Sequence, residues 1–215
     1  MHMTKIPEPK TLTGNPALVH AGFDELPHNP LHLLQNWFCD AIKLNVSEPG
    51  GLVLSTVDSN GKPFSRVVLL KTIDDTGVIF ASQSNSKKGI DISNNTSVAG
   101  TLWWRETMQQ VNFMGSATKM LPSISDEIWS GRTREAQAVA AISEQSAVMV
   151  DEELIKQRIK DLINSKTNIP RPETWCAYHI TIQDIEFWLG RQDRFHHRVQ
   201  YKLNHDVWHH QKLQP

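Results

Sequence analysis

The chain has 215 residues with 22 Lys and Arg against 23 Asp and Glu, a formal net charge of -1, and is 39% hydrophobic and 21% charged. That is enough apolar chain for one sizeable core, and so near-neutral a total excludes global attraction to nucleic acid or an anionic membrane, leaving only local basic patches. No run approaches the roughly 20 apolar residues of a membrane-spanning helix, and MHMTKIPEPK lacks the apolar stretch of a secretory leader, so the expectation is a soluble, cytoplasmic protein with no membrane and no nucleic-acid partner.

Residues 1–28 carry Pro7, Pro9, Pro16 and Pro27 with little periodicity and read as a flexible arm ahead of a single domain over 29–215. Asn29-Pro30 supplies a cap and a first-turn proline for a helix with Leu31, Leu34, Trp37, Ala41 and Ile42 on one face. Cys39 and Cys176, far apart and each close to a tryptophan, read as buried small hydrophobes rather than a disulfide or thiolate site.

The texture then changes. GLVLSTVD and FSRVVLLKT flank Asn60-Gly61, a hairpin turn, and GVIFAS, SVAGTLWW and MQQVNFMG add three short strands. Closely spaced antiparallel strands predict a small barrel. Between Ser82 and Ser97 a short helix is expected to start near Ser86, with Lys87 and Lys88 in its first turn. Lysines there oppose the helix dipole, a cost that an anion bound at the same place would offset.

From Pro122 the chain turns helical: SISDEIW, with Ser123 and Asp126 spaced for a capping pair, then TREAQAVAAI, then DEELIKQRIKDLIN with Leu154, Ile155, Ile159, Leu162 and Ile163 repeating. These predict helices packed on the barrel. Strands return as WCAYHITI, the Phe187 region, RVQYKL and VWHHQKL, the last two joined by Asn204-His205-Asp206.

Chemistry-bearing residues collect in two places. Arg66, Lys71, Ser82, Ser86, Lys87 and Lys88 have the character of a phosphate site, since a helix N-terminus with nearby cations satisfies phosphate oxygens; a set of solvated surface cations is the bland alternative. Arg66 and Lys71 lie an odd number apart, so a regular strand points them to opposite faces, and they serve one ligand only through a bulge or at a strand end. FWLGRQDRFHHR (187–198) offers a metal pair, a basic patch or a pocket wall. A metal is disfavoured: HDVWH (205–209) imitates a helical zinc motif but has Asp for Glu, and on a hairpin its histidines stand more than roughly 10 Å apart. P-loop, dinucleotide-binding and nucleophile-elbow motifs are absent from the sequence.

RVVLLK, the SKK segment, WWRETMQQV, SEQSA, IEFWLGRQDRFHHR and the closing KLQP, in that order, resemble the pyridoxamine 5'-phosphate oxidase family of flavin-dependent split-barrel proteins, and LWWRETMQQV with the tail from IPRP is most similar to its phenazine-biosynthesis branch. The resemblance implies an α+β, mainly β, FMN-binding split barrel with flanking helices, homodimeric, with FMN at the subunit interface. It implies Arg66 and Lys88 on the FMN phosphate with Ser82 and Lys87, and Lys71 beside the flavin ring with Val67, Leu69 and Leu70 of the same strand. Gln110, Trp188 and Arg198 would complete the flavin set, with Gln145 and Ser146 reaching it from the partner subunit. Arg194 and His196 would face the substrate as the catalytic pair, with Lys71 and Arg132 also binding it.

Two departures matter. The vitamin-forming enzymes hold their substrate's phosphate with a Tyr and a Ser where this chain has Ile128 and Ala136, and their basic N-terminal lid motif is missing from LVHAGFDEL. Both favour a larger, more apolar substrate. The expected function is therefore an FMN-dependent oxidase that aromatises a partly reduced phenazine carboxylic acid, a small aromatic carboxylate, with O2 as acceptor giving H2O2. A pyridoxamine 5'-phosphate oxidase and a non-catalytic flavin-binding protein stay open as alternatives.

Overall fold

The computed structural model describes Gly14, Asn15, Phe23 and residues 25–215; most of the arm expected over 1–28 lies outside the described residues. Helix α1 (Pro30–Lys43) starts as its sequence dictates: the Asn29 side chain accepts from the Leu31 N–H at 2.9 Å, and Pro30 fills the first turn. Its buried stripe runs through Leu31, Leu33, Leu34, Trp37 and Ala41. Leu33 shifts the centre of that stripe toward Trp37, so Ile42, expected within it, is 52% exposed at its edge. Cys39 is also exposed, on the solvent side of the helix two residues past Trp37, and Cys176 is only half-buried. The reading of Cys39 as buried is corrected, whereas Cys176 packs part-buried against the core.

Strands β1 (Gly51–Val57), β2 (Pro63–Ile73) and β3 (Gly77–Gln83) are followed by helix α2 (Lys87–Asn94), then β4 (Ser97–Trp104) and β5 (Gln109–Lys119). After helices α3 (Pro122–Ser130), α4 (Arg134–Ile142) and α5 (Glu152–Asn164) come β6 (Trp175–Leu189), β7 (His197–Asn204) and β8 (Val207–Leu213). All pairings are antiparallel, in the order β3-β2-β1-β4-β5-β6-β7-β8, and β3 also pairs with β6, closing six strands into a barrel.

The barrel is split by β6. WCAYHITI and the Phe187 region, expected as separate strands, form one 15-residue strand. Its first half pairs with β3 and its second with β7, while β5 follows both halves across a register shift at Met114/Gly115. A Cβ at Gly115 would stand 2.1 Å from the Thr181 carbonyl oxygen, so glycine permits the close approach where the strand changes partners.

Inside, the core joins alternate residues of the strands to the α1 stripe, with the Trp37 ring 5.3 Å from Phe187 and 6.5 Å from Trp104. A second cluster of Trp129, Ala138, Ile169 and Trp175 binds α3 and α4 to the start of β6. The apolar side of α5 packs on α4 rather than on the barrel, and none of its residues is fully buried. Helix α3 begins at Pro122 with Leu121 as a cap that makes no side-chain hydrogen bond. The proline starts the helix one residue early, so Ser123 falls inside it, and Asp126 instead accepts from Arg171 Nε at 2.6 Å.

Because Trp37 is fully buried and bridges α1 to β4 and β6, Trp37→Ala is expected to cost roughly 3–5 kcal/mol. Urea unfolding checks this through a lowered midpoint with an unchanged slope.

Candidate functional site

A cleft of about 440 Å³ opens beside β2, β3 and the start of α2. The Ser86 side chain caps α2 by accepting from the Gly89 N–H and donates to the Gln83 carbonyl at 2.7 Å. A Cβ at Gly89 would meet the Ser84 and Gln83 carbonyl oxygens at 2.4 and 2.6 Å, so only glycine lets the helix seat so closely on this loop. Lys88 is 6% exposed and its Nζ donates to Ser82 Oγ (3.1 Å), Ser86 Oγ (3.3 Å) and Gln145 Oε1 (2.8 Å).

From β2, Arg66 enters the same cleft over the Phe64 ring, its Nη1 donating to the Leu54 carbonyl (3.2 Å) and Thr56 Oγ1 (2.8 Å). Thr56 donates in turn to Asp91 Oδ2 at 2.8 Å, and Lys87 Nζ pairs with Asp91 Oδ1. Among the described residues, the buried Arg66 Nη2 has no hydrogen-bond partner. Burial lowers the Arg66 pKa, with Asp91 opposing; burial, aided by the Arg66 charge, brings Lys88 down to about 8. An arginine with an unpaired N–H, a buried lysine and a helix N-terminus gathered at one cleft suit a phosphate.

Gln145 and Ser146, expected from a partner subunit, reach this cleft from the same chain. Gln83 explains why: its Nε2 donates to the Ala140 and Ser143 carbonyls (2.8 and 2.7 Å), and its Oε1 accepts from the Gln145 N–H (2.8 Å), tying the loop after α4 to the end of β3. Ser146 Oγ accepts from the Lys87 N–H at 3.2 Å. Val67 and Leu69 line the cleft as exposed apolar side chains, whereas Leu70 turns into the core and offers the cleft no side chain.

An adjoining cavity of about 600 Å³ shares Ala81, Ser82 and Gln145 with the first and holds Arg132. The Arg132 guanidinium lies 5.1 Å from the Trp175 ring and 5.7 Å from Trp129, Nη2 donates to the Ala136 carbonyl, and Nε is buried without a partner among the described residues. Ala136 and Val139 line the cavity; Ile128 packs behind it against the tryptophan cluster. Lys71 is the extra residue of a bulge between Leu70 and Thr72, the irregularity needed if it is to share a ligand with Arg66. Its pKa is lowered by burial and then by the Arg132 charge.

A third cleft of about 760 Å³ is bordered by Phe195, His196, His197, Arg198 and the C-terminal residues, and shares no residue with the other two. Arg198 is held bidentately by Glu186 (2.7 and 3.0 Å). Trp188 stands between Trp103 (6.0 Å) and His196 (4.6 Å), and Gln110 pairs with both tryptophans in register. His196 Nδ1 accepts from the Arg191 N–H at 3.1 Å, so the neutral ring carries its proton on Nε2. Arg194 is exposed on the tight β6–β7 turn at φ +62, and Arg191 pairs with Asp193. His196 and His197 both border this cleft, and β7 begins only at His197. In HDVWH, His205 sits in the β7–β8 turn and His209 on β8, not on a helix.

The expected flavin residues thus fall into two groups within one chain, Arg66, Ser82, Lys87, Lys88, Gln145 and Ser146 in one and Gln110, Trp188 and Arg198 in the other. Sequence reasoning missed Thr56, Gln83, Asp91 and Trp103. The available signals were Thr56 on the inward phase of LVLST and Asp91 four residues after Lys87.

Comparison with known proteins adds the following. A family model described as pyridoxamine 5'-phosphate oxidase matches residues 38–166, and one described as the pyridoxine 5'-phosphate oxidase C-terminal dimerisation region matches 175–215. The chain is 33% identical to dihydrophenazinedicarboxylate synthase of Pseudomonas chlororaphis, covering 96% of this chain and 93% of that protein. It is 37% identical to pyridoxine/pyridoxamine 5'-phosphate oxidase of Mannheimia succiniciproducens, covering 87% and 89%. The crystal structure of PhzG from Burkholderia lata 383 in complex with tetrahydrophenazine-1-carboxylic acid superposes with a TM-score of 0.90 at 34% identity, covering 94% of this chain and all of that one.

Since a bound phosphate favours protonated Lys88, affinity for a phosphate monoester is expected to fall as pH rises through about 8, and to fall on the acid side near the phosphate's own pKa of about 6. Calorimetric titration across pH checks this; Lys88→Met is expected to weaken binding and flatten the alkaline limb.

Proposed function

Because the chain belongs to the pyridoxamine 5'-phosphate oxidase family, we propose that it is a homodimeric FMN-dependent oxidase that aromatises a partly reduced phenazine carboxylic acid. The observation that carries the phenazine branch is the wall beside Arg132. It keeps the cation but has Ala136 in the lining, and Ile128 packed behind it, at the two positions where the vitamin-forming enzymes carry phosphate-binding hydroxyls. The likeness to the phenazine-branch relatives over nearly the whole chain supports the same reading.

The residues present fit FMN. Arg66, Lys88, Ser82 and the α2 N-terminus would hold its phosphate, and Val67 and Leu69 offer an apolar bed for its ring. Gln110, Trp188 and Arg198 lie apart from that cleft, so a twofold-related copy would supply them, which the match of residues 175–215 to a dimerisation region supports. FMN, when bound, would supply the redox chemistry, with O2 as the final acceptor giving H2O2.

The chain's own part is positioning. Arg194, at the tip of its turn, would pair with the substrate carboxylate as a fork. His196 would present Nε2–H, because the Arg191 N–H already occupies Nδ1; it is therefore a hydrogen-bond donor to the bound substrate rather than a base. Trp103 and Trp188 give that side an aromatic wall matched to a flat substrate. Lys71 and Arg132 would place a second cationic group at the other end.

The purified protein is expected to carry or take up FMN, seen in its visible absorbance, and to oxidise a dihydrophenazine carboxylate faster than pyridoxamine 5'-phosphate. Efficient vitamin oxidation would move it to the other branch, and flavin binding without turnover of either would make it a carrier. Arg194→Lys keeps the charge but loses the fork, and is expected to raise KM about tenfold, or about 1.4 kcal/mol, with a smaller change in kcat.

A further inference from the structure

We infer that Asp91 and Thr56, which need touch no ligand themselves, are positioning residues that aim Arg66 at the cofactor's phosphate and so make the cleft select a phosphorylated flavin over an unphosphorylated one. The inference rests on the reading that this cleft takes the FMN phosphate.

A carboxylate beside a phosphate site is a liability, because it repels the anion the site is built for. Asp91 is nonetheless 2% exposed at that place, and Thr56 is fully buried beside it. Both carboxylate oxygens are engaged, Oδ1 by Lys87 Nζ and Oδ2 by the Thr56 hydroxyl at 2.8 Å. A hydroxyl has one proton to give. Once Thr56 gives it to Asp91, the lone pairs of Oγ1 are left to accept, and they accept from Arg66 Nη1 at 2.8 Å.

The strands make this relay possible. Leu54 is the β1 partner of Arg66 in register, and Thr56 is the next inward residue along β1, the diagonal position within reach of a long side chain. The Leu54 carbonyl and Thr56 Oγ1 together saturate Nη1. Nη2 is left buried, 3.8 Å from Asp91 Oδ2 and with no hydrogen-bond partner among the described residues. The guanidinium is thus held through Nη1, with Nη2 still unpaired among the described residues, in a residue that lines the cleft.

The charge count agrees. Arg66, Lys87 and Lys88 set three cations against the one carboxylate of Asp91, close to the charge of about -2 on a phosphate monoester near neutral pH. Asp91 thereby allows three cations to be packed together without the ligand, while directing one of them.

The test measures affinity for FMN and for riboflavin on the full chain stripped of flavin, by quenching of flavin fluorescence. Thr56→Val and Asp91→Asn are each expected to lower the ratio of FMN to riboflavin affinity about tenfold while riboflavin affinity stays within about twofold. Thr56→Ser, which restores the hydroxyl, is expected to keep the unmodified ratio. In an Arg66→Ala background Thr56→Val is expected to have no further effect, since it acts through Arg66. Equal weakening of both flavins by Thr56→Val, or FMN binding unchanged or tightened in both variants, would overturn the inference. If Asp91→Asn does not fold, the Thr56 series decides alone. An unmodified protein with no preference for FMN would overturn the cofactor reading itself, and is recognisable because it needs no variant.

Discussion

The double pairing of β3, to β2 on one side and β6 on the other, is the constraint from which the site follows. Closure makes β3 an interior strand with no free edge, so its last residues are held in place. Ser82 and Gln83 sit there, and Ser84 leads directly into the Ser86 cap of α2. Gln83 then uses its amide to fasten a loop some 60 residues further along the chain. Four elements therefore meet at one strand end: β2 with Arg66, α2 with its lysines, the loop with Gln145, and β3 itself. The bulge at Lys71 is a consequence of the same pairing, since an extra residue in β2 lets that strand follow β3 and turns Lys71 outward.

Burying cations at such a point works against folding. Lys88 and Arg66 both have pKa values depressed by burial, which is the free-energy cost of holding charge away from water. The structure offsets this with hydroxyls, carbonyls and one carboxylate. Because the remaining imbalance is positive, a bound anion stabilises the folded chain as well as being stabilised by it. Stability and cofactor affinity are then two aspects of one electrostatic arrangement.

Much of this was legible in the sequence where local chemistry decides. Asn29-Pro30 and Ser86 fix two helix starts, and Asn60-Gly61 fixes a hairpin, with Asp58 accepting from the Asn60 and Lys62 N–H groups. Where the outcome depends on distant packing, the pattern was silent or misleading. Ser123 and Asp126 have capping spacing, yet Pro122 and Arg171 decide otherwise. Cys39 has an apolar neighbourhood in sequence yet is exposed, because a helix separates near neighbours by their angle around its axis. Thr56 and Asp91 are 35 residues apart, and no periodicity connects a hydroxyl on a strand to a carboxylate on a helix. The placement of Gln145 was legible as a motif but not as geometry, since it hangs on the Gln83 amide.

The two ends of the proposed site also differ in how firmly they are built. Lys88 and Arg66 are sequestered, so their interactions act in a low effective dielectric and lose little to salt. Arg194 is exposed on a turn, where an ion pair is screened and side-chain ordering takes back part of its gain. Such a division suits a cofactor that stays and a substrate that leaves. It also explains why His196 is tethered through Nδ1 while Arg194 is not part of a strand: the imidazole sets direction, and the guanidinium, on a longer stem, supplies reach. Orientation is then set by the imidazole, and charge by the guanidinium.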